Sequence, residues 1–180
     1  QLFFEKLKTE GISSRIDHLK NLKRLINKRE SKIIEALSAD LGKPSFESYT
    51  SEILMVQKEL DLFIKNLKSW AAPKRVSGSL LNFPSKDYIL YEPYGKVLMI
   101  SPWNYPFQLA LIPLIGAVAT GNTVVLKPSE SAPHTTKIIA ELLSEIFPNN
   151  WVQVIEGDAE IAQALLELQW DYIFFTGSTT

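Results

Sequence analysis

Cysteine is absent from the 180 residues. That excludes disulfides, thiolate metal sites and cysteine catalysis within them. Histidine is scarce: His18 and His134 stand far apart and form no metal-ligand spacing. Each sits among polar neighbours and reads as a surface residue. Neither charge sign is in excess, with 19 Lys plus Arg against 20 Asp plus Glu. Nucleic-acid binders usually carry a basic surplus, so that partner class is disfavoured. No stretch suits a bilayer: the longest apolar one, Phe107 to Ala119, contains Gln108 and Pro113 and is too short. The start, Gln1 to Lys8, is too charged for a secretory signal. A cytoplasmic location is the expectation. No internal repeat or low-complexity tract occurs.

What is present is a globular composition, 46% hydrophobic and 22% charged. The length suffices for one domain with its own core. The first seventy residues read as helix. Ile12, Ile16, Leu19, Ile26, Ile33, Leu37 and Leu41 recur at helical spacing, with Lys20, Lys23, Arg24, Lys28, Arg29 and Lys32 on the solvated side. Gly42-Lys43-Pro44 ends that helix. A second helix carries Ile53, Val56, Leu60, Phe63, Leu67 and Trp70 on one stripe, a core pattern, and Pro73 closes it. Residues 77–85 form a polar connection.

The texture then changes to alternating strands and helices. Tyr88 to Tyr91 is a short strand, and Val97 to Ile100 reads as one buried on both faces. Pro106 opens a helix that runs to Thr120 and is capped at Gly121-Asn122. Pro113 costs it one backbone bond and is expected to bend it. Thr123 to Lys127 is a strand, Pro133 opens the next helix, and Val152 to Ile155 is a strand. Asp158 caps a helix bearing Ile161, Leu165 and Leu168, and Tyr172 to Phe175 is the last strand. This order predicts an α/β fold: N-terminal helices, then a parallel Rossmann-like sheet with helices on both faces.

Ligands of such sheets sit beyond the carboxyl ends of the strands. There the sequence places Ser101-Pro102-Trp103-Asn104, Lys127 with Glu130, Gly157-Asp158 and Gly177-Ser178. A lysine donor and a carboxylate acceptor suit the two hydroxyls of a ribose. Gly177 permits close backbone approach. Ser178 and the amides after it suit a helix N-terminus facing phosphate. Asn104 offers amide hydrogens to a developing oxyanion, and Trp103 can wall a flat ring. Taken singly, each has a plainer reading: rim packing, a surface ion pair, a turn residue, a common cap. Together on one rim they make a site.

Three motifs carry a resemblance. Pro102-Trp103-Asn104-Tyr105-Pro106, Gly121 to Glu130 and Phe175-Thr176-Gly177-Ser178-Thr179 resemble, in order and spacing, signatures of the aldehyde dehydrogenase superfamily. Tyr-Pro-Phe after Trp-Asn looks most like its class 3, fatty-aldehyde branch. The family binds its dinucleotide without G-x-G-x-x-G, and none occurs here. The resemblance implies NAD as cofactor, with NADP also used in the branch; Glu130 would repel a ribose 2′-phosphate. It implies that Lys127 and Glu130 hold the adenosine ribose and that Gly177 and Ser178 lie at the pyrophosphate. Ser101, Pro102 and Trp103 would line the cleft, Gly157 would fall near the adenine, and Asn104 would stabilise the oxyanion. The implied partners are an aldehyde and, in the complete enzyme, a second copy in a dimer.

The family's nucleophilic cysteine and general-base glutamate lie beyond the last motif, so neither is carried over to this chain. The implied organisation is a helical segment over 1–76, a strand and connection over 77–95, and a partial dinucleotide-binding domain over 96–180. The catalytic domain is expected to be absent, and the chain alone inactive and poorly stable or self-associating. Two other functions stand beside the enzyme reading: a stand-alone nucleotide-binding module, and a helical interaction protein using the Ile53 to Trp70 stripe.

Overall fold

A computed structural model describes residues 2–78, 81 and 84–178, with the backbone alone for residues 2–10. Part of the predicted connection over 77–85 therefore lies outside the described residues, as do Thr179 and Thr180.

The N-terminal third is helical. Helix α1 (Leu2–Lys28) is broken at Gly11, and α2 (Glu30–Leu41) follows it. The sequence predicts one helix across this span; the structure parts it at Arg29 (φ −106°, ψ 15°). The break lets the two pieces pack on different partners. Arg29 sits at the joint and reaches Glu145 and, at 3.5 Å, Glu141 of a later helix. Gly42 ends α2 in the left-handed conformation, its N–H donating to Ser38 O at 2.9 Å, as the sequence predicts.

A short turn of helix, α3 (Ser45–Glu47), leads through one wide π-helical segment, Ser48–Ile53, into α4 (Leu54–Trp70). The predicted stripe is core over most of its length. Ile53, Val56, Leu60 and Leu67 are buried, Phe63 is half-buried, and Trp70 at the end is exposed. This stripe packs into the core shared with α1 and α5, so it is not the open partner surface that an interaction protein needs.

Strands β1 (Lys74–Val76) and β2 (Asp87–Ile89) pair antiparallel. The sequence reading missed β1, whose three residues show no apolar alternation. It also starts the second strand one residue late and ends it two residues late.

The main sheet holds β3 (Lys96–Ile100), β4 (Thr123–Lys127), β5 (Val152–Val154) and β6 (Tyr172–Phe175), all parallel, in the order β5-β4-β3-β6. Helices α5 (Pro106–Thr120), α6 (Pro133–Ile146) and α7 (Ala159–Leu166) make the crossovers. The first two connections step across the sheet in one direction; the third jumps back past β3. With right-handed crossovers, that reversal puts α7 on the face opposite α5 and α6. The burial pattern agrees. Val97, Met99, Val124, Leu126 and Val152 join a core with α1, α2, α4, α5 and α6. Leu98 and Ile100 join Leu165, Val125 and Ala162 beneath α7. Leu168, predicted on α7, lies beyond its end and is exposed.

Two helices of the sheet are capped from far away in sequence. Pro106 and Pro133 occupy the first helical positions, and neither helix has a local side-chain cap. Asp40 of α2 accepts the N–H groups of His134 (3.1 Å) and Thr135 (2.7 Å) at the start of α6. Glu52 does the same for α5, accepting from Phe107 and Gln108 at 3.0 Å each. A carboxylate at a helix N-terminus satisfies orphan donors and faces the positive end of the dipole.

His18 corrects an expectation. It is part-buried, with its ring stacked on Phe147 (5.7 Å) and edge-on to Trp151 (4.9 Å). The polar residues around it in sequence lie on other faces of α1, which is why composition misplaced it. His134 is exposed, as expected.

Candidate functional site

Parallel strands end together. Ile100 pairs with Lys127 on one side and Phe175 on the other, and Leu126 pairs with Val154. Backbone bonds carry the ladder one step further. Ser101 N–H donates to Lys127 O (3.1 Å), Ile155 N–H to Leu126 O (2.9 Å) and Thr176 N–H to Ile100 O (3.0 Å). The four segments that follow the strands therefore share one rim, as the sequence predicts. The direction of travel reverses between β3 and β6, where open α/β sheets leave a crevice. Ser101 to Asn104 flank it on one side and Thr176 to Ser178 on the other.

Lys127 is buried, and its Nζ donates to Glu130 Oε2 at 2.5 Å. Its partner is half-exposed, so this is an ion pair with one end out of water and one end at the rim. The Lys127 hydrogen bond, helped by a backbone hydrogen bond at Glu130, holds the Glu130 carboxyl below its ordinary value of 4.5. Burial and the negative charge of Asp158 act the other way. Asp158 itself caps α7, accepting from Glu160 N–H (3.0 Å) and Ile161 N–H (3.3 Å).

Gly157 precedes this cap with φ 155°. A Cβ there would lie 2.6 Å from Ile161 Cγ1 and 2.8 Å from Ile161 Cβ, so the position takes no side chain and the rim stays low. Gly177 has a different neighbour from the one expected. A Cβ on it would meet the Phe175 ring at 2.5 Å, so close approach there is made by the chain's own aromatic. The helix N-terminus expected from Ser178 onward reaches Thr179 and Thr180, outside the described residues.

The loop after β3 grades from buried to exposed. Ser101 is buried, and no described residue partners its Oγ. Pro102 is half-buried, while Trp103, Asn104 and Tyr105 are exposed. Asn104 Oδ1 accepts the Tyr105 N–H at 3.1 Å. Its oxygen is thus engaged by the chain, and no described residue accepts from Nδ2. The carboxamide presents donors, the polarity an oxyanion needs.

Beneath that loop lie two residues the sequence reading did not select. Glu52 is fully buried and pairs with Lys43. Lys43 Nζ also donates to the carbonyl of Asn104 at 3.0 Å and lies 4.0 Å from the centroid of the Tyr105 ring. The only sequence cue was a glutamate adjoining Ile53, four residues before buried Val56.

A cavity of 630 Å³ lies elsewhere, between α1, α4 and the segment over 91–94, and shares no residue with the rim. No described helix is long and apolar enough to cross a membrane.

Comparison with known proteins gives the family. The model described as aldehyde dehydrogenase family matches residues 2–180. The 4,4'-diaponeurosporen-aldehyde dehydrogenase of Staphylococcus aureus is 48% identical over 176 residues, covering 98% of this chain and 38% of that protein. The chloroplastic aldehyde dehydrogenase family 3 member I1 of Arabidopsis thaliana is 47% identical, covering 97% and 32%. Family 3 members from mouse and rat are also similar. Among solved structures, the substrate-bound Staphylococcus aureus AldH superposes with a TM-score of 0.95 at 48% identity, covering 99% of this chain and 39% of that one. A Mycobacterium tuberculosis aldehyde dehydrogenase complexed with NAD+ gives a TM-score of 0.81 at 26% identity, covering 91% and 34%. The chain thus spans about a third of the length of these relatives, 32% to 39%. Its fold, its three motifs and these relatives agree: the chain belongs to the aldehyde dehydrogenase family, in company with the class 3 members.

Proposed function

We propose that these residues form the dinucleotide-binding portion of an NAD(P)-dependent aldehyde dehydrogenase that oxidises aldehydes to carboxylic acids. One observation carries the reading: the buried-to-exposed Lys127–Glu130 pair and the donor-presenting Asn104 lie on a single rim at the sheet's reversal point. A dinucleotide fits the residues present. Ser101 Oγ is buried without a described partner, and Lys127 with Glu130 offers a donor and an acceptor.

In this reading Lys127 donates to one hydroxyl of the adenosine ribose and Glu130 accepts from the other. Gly157 lies on the adenine side, and Gly177 and Ser178 lie along the pyrophosphate. Ser101, Pro102 and Trp103 line the cleft. The bound nicotinamide supplies a hydride acceptor. Addition of a nucleophile to the aldehyde places negative charge on oxygen, and Asn104 Nδ2 donates to it. The nucleophile and the base come from outside these 180 residues, which hold no cysteine. A homodimer and a cytoplasmic location belong to the same proposal. Light scattering and fractionation of the full-length protein check them.

NAD is the preferred cofactor in this proposal. Glu130 is held ionised, and a carboxylate at the ribose repels a 2′-phosphate. Titrating both cofactors into the full-length protein tests it; tighter NADP+ binding refutes the assignment.

Lys127→Ala in the full-length protein is expected to weaken NAD+ binding by roughly 10- to 100-fold, the worth of one charge-assisted hydrogen bond. Calorimetric titration checks this, and unchanged affinity removes Lys127 from the site.

The Glu130 shift fixes a pH dependence. A depressed carboxyl pKa keeps the charged acceptor in place below the ordinary 4.5. Its contribution is present above that value and lost only as pH falls through the lower, folded value. NAD+ affinity should therefore stay flat from about pH 8 down to about pH 5, as far as Glu130 governs it. In Lys127→Ala the depression is relieved, and the loss begins at higher pH. Affinity measured from about pH 8 down to about pH 4 in both proteins decides the point.

A further inference from the structure

We propose that Lys43 and Glu52 are positioning residues that set the aim of the Asn104 carboxamide. The inference rests on the oxyanion role of Asn104 proposed above.

The geometry is a clamp around one residue. Glu52 Oε2 accepts from Phe107 and Gln108 N–H, fixing the start of α5 just after Asn104. The other oxygen, Oε1, takes the Lys43 ammonium. That ammonium in turn donates to the carbonyl of Asn104 itself and packs against the face of Tyr105. Asn104 Oδ1 is tied to the Tyr105 N–H. The backbone of Asn104 and the helix that follows it are thus both held from one fully buried carboxylate, and the side chain is tied to the backbone so fixed through the Tyr105 N–H.

Stability alone does not call for this arrangement. A local Ser or Asp at the cap position, now Tyr105, would satisfy the same helix donors. Burying an ion pair is costly, and well-packed apolar side chains commonly replace one without loss. What neither substitute provides is a cation under the carbonyl of Asn104. Glu52 comes from the π-helical segment Ser48–Ile53, a wide turn of the kind often found at functional sites. Small errors in aim are expensive in rate: a displacement of about 1 Å can cost on the order of 10²-fold.

The test uses the full-length enzyme with an aldehyde and NAD+. Lys43→Met with Glu52→Gln removes both charges together and leaves one acceptor for the start of α5. We expect kcat and kcat/KM to fall together by roughly 10- to 100-fold. NAD+ affinity should stay within about twofold. Lys43→Arg, which keeps a cationic donor, should retain most of the activity. Added to Asn104→Ala, the double change should cost nothing further, because the residue it aims is gone. A residue that merely supports the fold would instead lower the unfolding midpoint and NAD+ binding, and would still subtract activity from Asn104→Ala; that pattern overturns the proposal. So does unchanged kcat in the double variant while Asn104→Ala is impaired. Should the double variant fail to fold, Lys43→Gln with Glu52→Gln, which keeps a neutral hydrogen-bonding pair in place, is read the same way. Wild-type kcat in Asn104→Ala refutes the oxyanion reading itself, and the clamp's purpose with it.

Discussion

Asn104→Ala in the full-length enzyme is expected to lower kcat by about 10²- to 10³-fold, the loss seen when one oxyanion donor is removed. NAD+ affinity should change less than about twofold, because the residue acts on charge that appears only in the transition state. Asn104 Oδ1 is engaged by the Tyr105 N–H, which leaves the Nδ2 hydrogens without a described acceptor. Removing the side chain takes away two donors and disturbs no core packing, since Asn104 is exposed. Single-turnover kinetics separate hydride transfer from later steps. A loss confined to KM would show that Asn104 binds the aldehyde uniformly rather than stabilising its oxyanion.

Trp151→Ala is expected to give the largest loss of stability, roughly 3–5 kcal/mol. Trp151 is nearly fully buried at the entry to β5. Its Nε1 donates to Asn122 O at 3.1 Å, and its ring meets Phe147 at 5.2 Å and His18 at 4.9 Å. One side chain therefore joins α1, the end of α6 and the turn before β4. The truncation leaves a cavity and an unpaired buried carbonyl. Urea unfolding of the full-length protein followed by circular dichroism should show an earlier midpoint with little change in slope. Trp103→Ala is the control. Trp103 is 55% exposed, so its loss should move the midpoint by no more than about 0.5 kcal/mol. Equal effects from the two tryptophans would mean that the rim loop, not the core, carries stability here.

Much of the parallel sheet could be read without coordinates because its signals are local. Proline at the first helical position, Gly121 after the last, and unbroken apolar runs for strands buried on both faces each act over a few residues. Helix α5 and strands β3, β4 and β6 accordingly fall where the sequence puts them, within one residue. Strand β1 escaped because three residues carry no usable period; its pairing with β2 makes it a strand. The break at Arg29 escaped because helical spacing continues across it. His18 was misjudged because its neighbours in sequence are polar while its neighbours in space are aromatic.

The site divides in the same way. The chemistry of Lys127, Glu130 and Asn104 is visible in residue type and spacing, and strand periodicity with the crossover rule is enough to put them on one rim. Whether Lys127 is buried, and that Glu130 answers to Asp158, follow only from the packing of α7 against the sheet. Lys43 and Glu52 lie even further from sequence reach. Glu52 meets its backbone partner 55 residues away, and Lys43 meets Asn104 across 61.

By itself, then, the sequence determined the order of the elements, their hydrophobic faces and which polar groups stand at the strand ends. Each of these depends on interactions within a turn or two of chain. Tertiary structure alone decided which carboxylate caps which helix, which cation sits beneath Asn104 and which side of α1 is wet. Those outcomes depend on buried charges finding partners, and a chain leaves no local trace of a partner it meets only after folding.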